Sequence, residues 1–278
     1  MMHLTYSLHK ITEPEQFGFS AADYSRFKYG DAEVARSFGN SLAQGFIEEH
    51  LNGEPITSQL VVISSPYSFI PTATYTLKNY FVSALNRWLA HHNLPVVQEA
   101  KVHRTITYKE DYGELDAEQR LKLIGNDSFH IDKDFIKGKT LLFLDDIKIT
   151  GSHEHMIMKM VDEYGLDNNI FMLYFAELIN KGIHPSIENY LNYYQVQTIF
   201  DLDSIILSGK FSINTRIVKY ILNYDHDSFR VFLQNKPEDF INNLYDMALG
   251  NGYHTMECYQ PNLNYIKKQL SVFNKNLA

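Results

Sequence analysis

The chain has 278 residues, 45% of them hydrophobic and 21% charged, which suits one large domain or a domain with an appendage and excludes a disordered or collagen-like chain. Thirty-three acidic residues stand against 25 basic ones, a formal charge of −8, so there is no basic footprint for bulk nucleic-acid binding. The single cysteine, Cys258, excludes an intrachain disulfide and a cysteine-rich zinc site and points to a reducing, cytoplasmic home.

The opening MMHLTYSLHKITEPEQ lacks the basic stretch and apolar run of a secretory signal. Apolar runs such as Leu141 to Leu144 are far shorter than the roughly 20 residues that span a bilayer, so no membrane partner is expected. Residues 31–51 read as an amphipathic helix, with Val34, Phe38, Leu42 and Phe46 four apart and Asp31 placed to cap it. Residues 59–64 form a β-branched run of the kind buried in a parallel sheet. Pro71 suits the first turn of a helix continuing through Leu77, Phe81, Leu85 and Leu89. A second strand is predicted at 96–102. The next stretch, 103–139, is long and polar, with about two helical turns at 115–124 and an extended piece at 129–131. An irregular connection of that length is usually a lid or a binding loop.

The third strand, 140–145, is the clearest and runs into a helix at 153–164 closed by Gly165. Strands four and five are predicted at 169–177 and 196–202, with a short helical stretch around 185–193 between them. Alternating strands and helices imply a parallel α/β sheet with its ligand at the carboxyl ends of the strands. From Ser212 the pattern turns helical. The chain therefore divides into an α/β domain, 1–211, and a helical appendage, 212–278.

The chemistry concentrates in Leu141-Leu-Phe-Leu-Asp-Asp-Ile-Lys-Ile-Thr-Gly-Ser-His153. An apolar strand delivers Asp145 and Asp146 to the sheet edge, where paired carboxylates accept hydrogen bonds from vicinal sugar hydroxyls and sit near a hydrated Mg²⁺. The turn Thr150-Gly151-Ser152 exposes amides at a helix N-terminus, an anion site. Acids on one side and amides on the other describe a sugar phosphate; a solvated strand end with a helix cap is the plainer alternative.

This segment resembles the 5-phosphoribosyl 1-diphosphate (PRPP) signature of type I phosphoribosyltransferases. Phe27-Lys-Tyr-Gly-Asp31 is similar to the lysine-containing entry segment of ComF-like homologues, and Arg104, Leu115 to Arg120, Asn126 and Phe129 to their stretch before the signature. The resemblance covers about residues 24–205. It implies a type I phosphoribosyltransferase fold, a parallel sheet of about five strands flanked by helices, with a flexible hood at about 103–139. It also implies Mg²⁺-dependent displacement of pyrophosphate from PRPP by a nitrogenous small-molecule acceptor. Carried over by position, Asp145 and Asp146 hold the ribose hydroxyls with Mg²⁺ nearby, and Ile149, Thr150, Gly151, Ser152 and His153 hold the 5′-phosphate. Many members pair through their cores, so a homodimer is compatible with the resemblance.

The sequence also departs from the pattern. Lys148 replaces an apolar residue and His153 a closing Thr or Ser. Ile149 stands where purine-salvage members carry the Asp that acts on the purine. The pyrophosphate loop, Ser64-Ser-Pro-Tyr-Ser-Phe-Ile-Pro71, has no Gly, Arg or Lys, leaving Ser64, Ser65, Lys28 and Arg104 as candidates for pyrophosphate. Lys28 and Arg104 read equally as surface ion-pair partners. Lys148 and Arg104 are the candidates for a catalytic cation, with Lys148 otherwise an exposed loop lysine. His153 caps the helix or touches phosphate. His153-Glu154-His155 points its imidazoles apart, against a metal site. Asp201 and Asp203 read as a helix cap or solvated edge before the acceptor pocket. The Tyr-rich stretches at 190–194 and 220–224 read as core. Two other functions remain open: a PRPP or nucleotide sensor without turnover, and an enzyme acting on another phosphosugar or nucleotide.

Overall fold

The strands Thr140–Lys148 (β6) and Ile170–Leu178 (β7) carry nearly unbroken apolar runs, the mark of strands buried on both faces. They occupy the middle of a five-stranded sheet in the order β1-β7-β6-β2-β3, every pair parallel, with His3–Ile11 (β1), Leu60–Ser64 (β2) and Gln98–Glu99 (β3) as the others. The computed structural model describes residues 2–53, 56–104 and 129–276. Alternate residues of β6 supply two cores. Leu142 and Leu144 join the one built with the helices Ala32–Phe46 (α2) and Ala73–His91 (α3). Leu141 and Phe143 join the one built with a later helix, Ser152–Glu163.

Helix α2 forms as its periodicity predicts. Asp31 Oδ1 accepts from the Glu33 and Val34 amides at 3.0 and 3.2 Å, and Phe38, Leu42 and Phe46 are buried. Leu77, Phe81, Leu85 and Leu89 of α3 are buried on the same side of the sheet. Ahead of α2, Ala21–Lys28 (α1) is capped by Ser20.

Two predicted strands are corrected. The fifth strand is β1, at the sheet edge beside β7. Residues 196–202, predicted as that strand, instead lead into a 3-10 turn, Ile199–Leu202, because Thr198 and Asp201 close a capping box there. The predicted strand 96–102 contributes only β3 to the sheet. His103–Arg104 (β4) pairs antiparallel with Phe129–His130 (β5) in a separate ladder, the base of the predicted hood. The rest of the hood between them, including 115–124 and Asn126, lies outside the described residues. A short helix, Lys133–Ile136 (α4), follows, and Ser152–Glu163 (α5) and Ile187–Asn192 (α6) lie close to their predicted ranges.

The helical segment comprises Asp203–Ile206 (α7), Thr215–Leu222 (α8), His226–Gln234 (α9), Glu238–Gly250 (α10) and Gln260–Asn276 (α11). It has its own core, which reaches back past Ser212 to Val196, Ile199, Leu202 and Ile205 and takes in Tyr29 and Ile70 from the α/β part. At the seam, Ser212 N donates to Gly30 O at 2.9 Å and Ala32 N to Lys210 O at 2.9 Å. Gly30, at φ +89°, comes so close that a Cβ there would lie 2.4 Å from the Ser212 carbonyl oxygen. No helix among the described residues is long and apolar enough to cross a membrane.

Candidate active site

The carboxyl end of β6 delivers Asp145 and Asp146 beside the first turns of α1 and α3 and the turn into α5, and each of their four carboxylate oxygens meets a protein group. Asp145 Oδ1 accepts from Ser65 Oγ (2.7 Å), Thr74 Oγ1 (3.2 Å) and the Asp146 amide (2.9 Å), while Oδ2 faces His153 Nδ1 at 2.9 Å. Asp146 Oδ1 accepts from Thr74 Oγ1 at 3.2 Å, and Oδ2 from Tyr24 OH at 2.6 Å and Lys28 Nζ at 2.5 Å. The pair thus shares one hydroxyl, that of Thr74, and is otherwise held by separate partners.

Their electrostatics diverge accordingly. Burial alone would push Asp145 up, but the hydrogen bond and charge of His153, with the Ser65 hydroxyl, hold it well below the usual carboxylate range. Asp146 moves the other way: burial raises it, Lys28 opposes the rise, and the Asp145 charge adds to it. Tyr24, buried against Asp146, is pushed well above the usual phenol value, so it acts as a donor.

After β6 the chain turns through Ile149 and Thr150 to Gly151, at φ +75°, which opens α5. The N-cap position is Gly151, which has no side chain to cap the first turn of this helix. Thr150 Oγ1 and Ser152 Oγ lie 2.8 Å apart within the turn, and Ile149 packs against the core. The five residues 149–153 therefore sit together at one helix N-terminus, with His153 linking them to Asp145.

Lys148 is the last residue of β6 and is half-buried, unlike a loop lysine. Its Nζ lies 2.9 Å from Glu154 Oε2 and 3.1 Å from Glu177 Oε1. Burial alone would lower its pKa, but these two carboxylates raise it. Tyr174 OH and Ser7 Oγ donate to the same two acids, at 2.9 and 2.7 Å. Lys148 is thus tied into a local charge network.

The loop after β2 begins at Ser64, the last residue of that strand, and Ser65 binds Asp145 as described. Its own sequence has no cation, yet Lys101, beyond β3, donates to Ser68 O at 2.7 Å and lies 3.9 Å from the Tyr67 ring centroid. Arg104 is placed in β4, whose base bridges to this loop through Tyr67 and His103. A small pocket opens where the loop meets β6 and α5, lined by Ser64, Ser65, Pro66, Asp145, His153 and Tyr174 among others. Asp201 closes a helix cap, and Asp203 pairs with the buried Lys236 at 2.6 Å.

The sequence-predicted residues that converge directly are Asp145, Asp146, Lys28, Ser65 and His153. Tyr24 and Thr74 join them, and Lys101 reaches the neighbouring loop, without having been singled out by the sequence. Tyr24 stands four residues before Lys28 on α1, a spacing that puts both on one helix face and could have marked it. Among the described residues no group of three or more His, Cys, Asp and Glu forms a metal cage.

Among solved structures, the hypoxanthine phosphoribosyltransferase of Staphylococcus aureus is 11% identical, over 55% of this chain and 76% of that one, with a TM-score of 0.32. The Trypanosoma cruzi hypoxanthine phosphoribosyltransferase is 18% identical, over 54% and 77%, also at 0.32. The L. donovani hypoxanthine-guanine phosphoribosyltransferase is 14% identical, over 51% and 71%, at 0.31. No curated protein matches the chain. The family described as PRTase ComF-like matches residues 2–266, a span that takes in β1 and most of the helical segment, both outside the 24–205 of the sequence resemblance. Matched over that span, the chain belongs to the PRTase ComF-like family.

Proposed function

We propose that this protein binds PRPP and transfers its phosphoribosyl group to a nitrogenous acceptor. The bond from C1′ to the pyrophosphate oxygen breaks, a bond from C1′ to the acceptor nitrogen forms, and the acceptor gives up a proton. The observation that carries this proposal is the meeting of the Asp145–Asp146 pair with the N-terminus of α5 at the end of a central parallel strand, in a chain of this family. In this arrangement Asp145 and Asp146 receive the ribose hydroxyls, residues 149–153 receive the 5′-phosphate, and Lys28, Ser64, Ser65 and Arg104 serve the pyrophosphate. The protein's work is positioning and charge neutralisation around an oxocarbenium-like transition state, for which no protein nucleophile is needed.

Two adjacent carboxylates, with no third protein ligand among the described residues, fit a Mg²⁺ carried largely by the substrate's own oxygens, the usual habit of that ion. When bound, the ion neutralises pyrophosphate charge, and Asp145 and Asp146 are the residues that would hold it. We also propose the division into an α/β unit and a helical unit, with 196–206 counted in the latter because its side chains pack there.

A second proposal, PRPP or nucleotide binding without turnover, is favoured by a specific feature. Every carboxylate oxygen of the pair already has a protein partner, so a ribose hydroxyl must share an oxygen with one of these donors or displace it. The deciding experiment is pyrophosphate release from PRPP with Mg²⁺ across nucleobases, amines and small heterocycles, with Asp145→Asn/Asp146→Asn as the blank. Release with one acceptor and none in the blank supports the transferase. Saturable PRPP binding without release supports the binding protein, and neither binding nor release rejects both.

A further inference from the structure

We infer that the helical segment forms part of the pyrophosphate end of the site, with Asn251 as the residue that positions the loop after β2; this rests on the phosphoribosyl transfer proposed above. The loop from Ser65 to Pro71 has no glycine and no cation of its own, and it lies outside any strand or helix. Its shape must therefore be set by whatever takes up its backbone polar groups.

Most of those at its far end go to the helical segment. Asn251 Oδ1 accepts from the Phe69 and Ile70 amides, both at 3.0 Å. Thr215 Oγ1 donates to Ile70 O at 2.8 Å and Pro71 O at 3.2 Å, and the Thr215 amide donates to Pro71 O at 2.9 Å. Ile70 is fully buried in the helical core. Asn251 is itself fixed, its Nδ2 donating to the hydroxyl of the buried Tyr253 at 3.0 Å.

The near end of the loop is tied to Asp145 through Ser65 at 2.7 Å. Residues 66–68 thus run between an anchor on the carboxylate pair and one on the helical segment, with Lys101 and His103 holding Ser68 and Tyr67 between them. The same segment reaches the cation opposite, because Asn214 Nδ2 donates to the Lys28 carbonyl at 3.2 Å. Both stretches proposed to meet pyrophosphate take backbone hydrogen bonds from helical residues. A shift of about 1 Å in such a loop is enough to spoil a charged transition state.

The test is calorimetric titration of the full chain with PRPP and, separately, with ribose 5-phosphate, each with Mg²⁺. Asn251→Ala leaves two amides without their acceptor and should weaken PRPP about tenfold while leaving ribose 5-phosphate within about twofold. Asn251→Asp retains the accepting oxygen and lets Tyr253 donate, so it should restore PRPP affinity. Thr215→Val removes the hydroxyl bonds to the loop and should give the same selective loss at smaller size, which keeps the test intact if Asn251→Ala does not fold. Equal loss for both ligands, or no loss for PRPP, overturns the positioning role. Failure of the unaltered protein to bind PRPP overturns the parent proposal instead, and is seen before any variant is compared.

Discussion

Lys28 Nζ lies 2.5 Å from Asp146 Oδ2, and their side chains are only 12% and 7% exposed. One comes from the end of α1 and the other from the end of β6, so the ion pair ties the first helix to the central strand. Removing one partner leaves the other largely buried without its counter-charge. For Lys28→Met we expect a loss of about 3 kcal/mol in unfolding free energy, largely recovered in Lys28→Met/Asp146→Leu. Urea denaturation of the two variants checks this; equal losses in both would mean the pair is not the cause.

The link between Asp145 and His153 sets a pH dependence. Asp145 is held below its ordinary pKa, so the fold favours its ionised form. That contribution is complete above the usual carboxylate value of about 4 and is lost as pH falls toward the folded one. Asp146, raised by burial, has the opposite sign and opposes folding once ionised. Replacing His153 releases Asp145, so the stability of His153→Gln should fall less steeply than that of the unaltered protein between about pH 5 and 2. Urea midpoints across that range decide it, and parallel slopes would contradict it.

Gly151 tests the anion turn. Its φ of +75° is costly for a side chain, although a Cβ there meets nothing nearer than Lys148 Cε at 3.7 Å. Gly151→Ala should therefore cost only about 1 kcal/mol of stability. Its effect on ribose 5-phosphate should be larger, about tenfold in affinity, because the amides at the turn re-aim. Thermal melts and calorimetry separate the two; unchanged affinity would place the phosphate elsewhere.

At the seam between the α/β and helical parts, Gly30 leaves no room. Gly30→Ala sets a Cβ against a backbone carbonyl in a conformation that also disfavours it. A loss of about 3 kcal/mol or more is expected, with earlier proteolysis of the helical segment. A loss below about 1 kcal/mol would mean the seam yields.

The central strands and flanking helices are legible because burial writes itself into period and run length. Four apolar residues before Asp145 mark β6, and Phe38, Leu42 and Phe46 mark α2. The edge strand β1 has neither signal: Tyr6 and Ser7 are buried side by side while Leu4 is exposed, so no apolar run or clean period marks it. Residues 196–202 read as a strand because Val196, Thr198, Ile199 and Phe200 are β-branched or aromatic, but the capping box through Thr198 and Asp201 decides otherwise. In the site, the carboxylate pair and its turn form a contiguous motif. Thr74 reaches it, and Lys101 and Asn251 reach the loop after β2, from separate elements, and no local pattern announces a contact made across the fold.

The place of β1 beside β7 has a consequence for the newborn chain. As the chain is made, β1 finds its sheet neighbour among the described strands about 167 residues later, since His3 pairs with Ile170. At about 5–20 residues per second it waits roughly 10–30 s with its apolar face uncovered. Long-range closure of this kind slows folding, and the interval is when a chaperone would find the chain most in need of shelter.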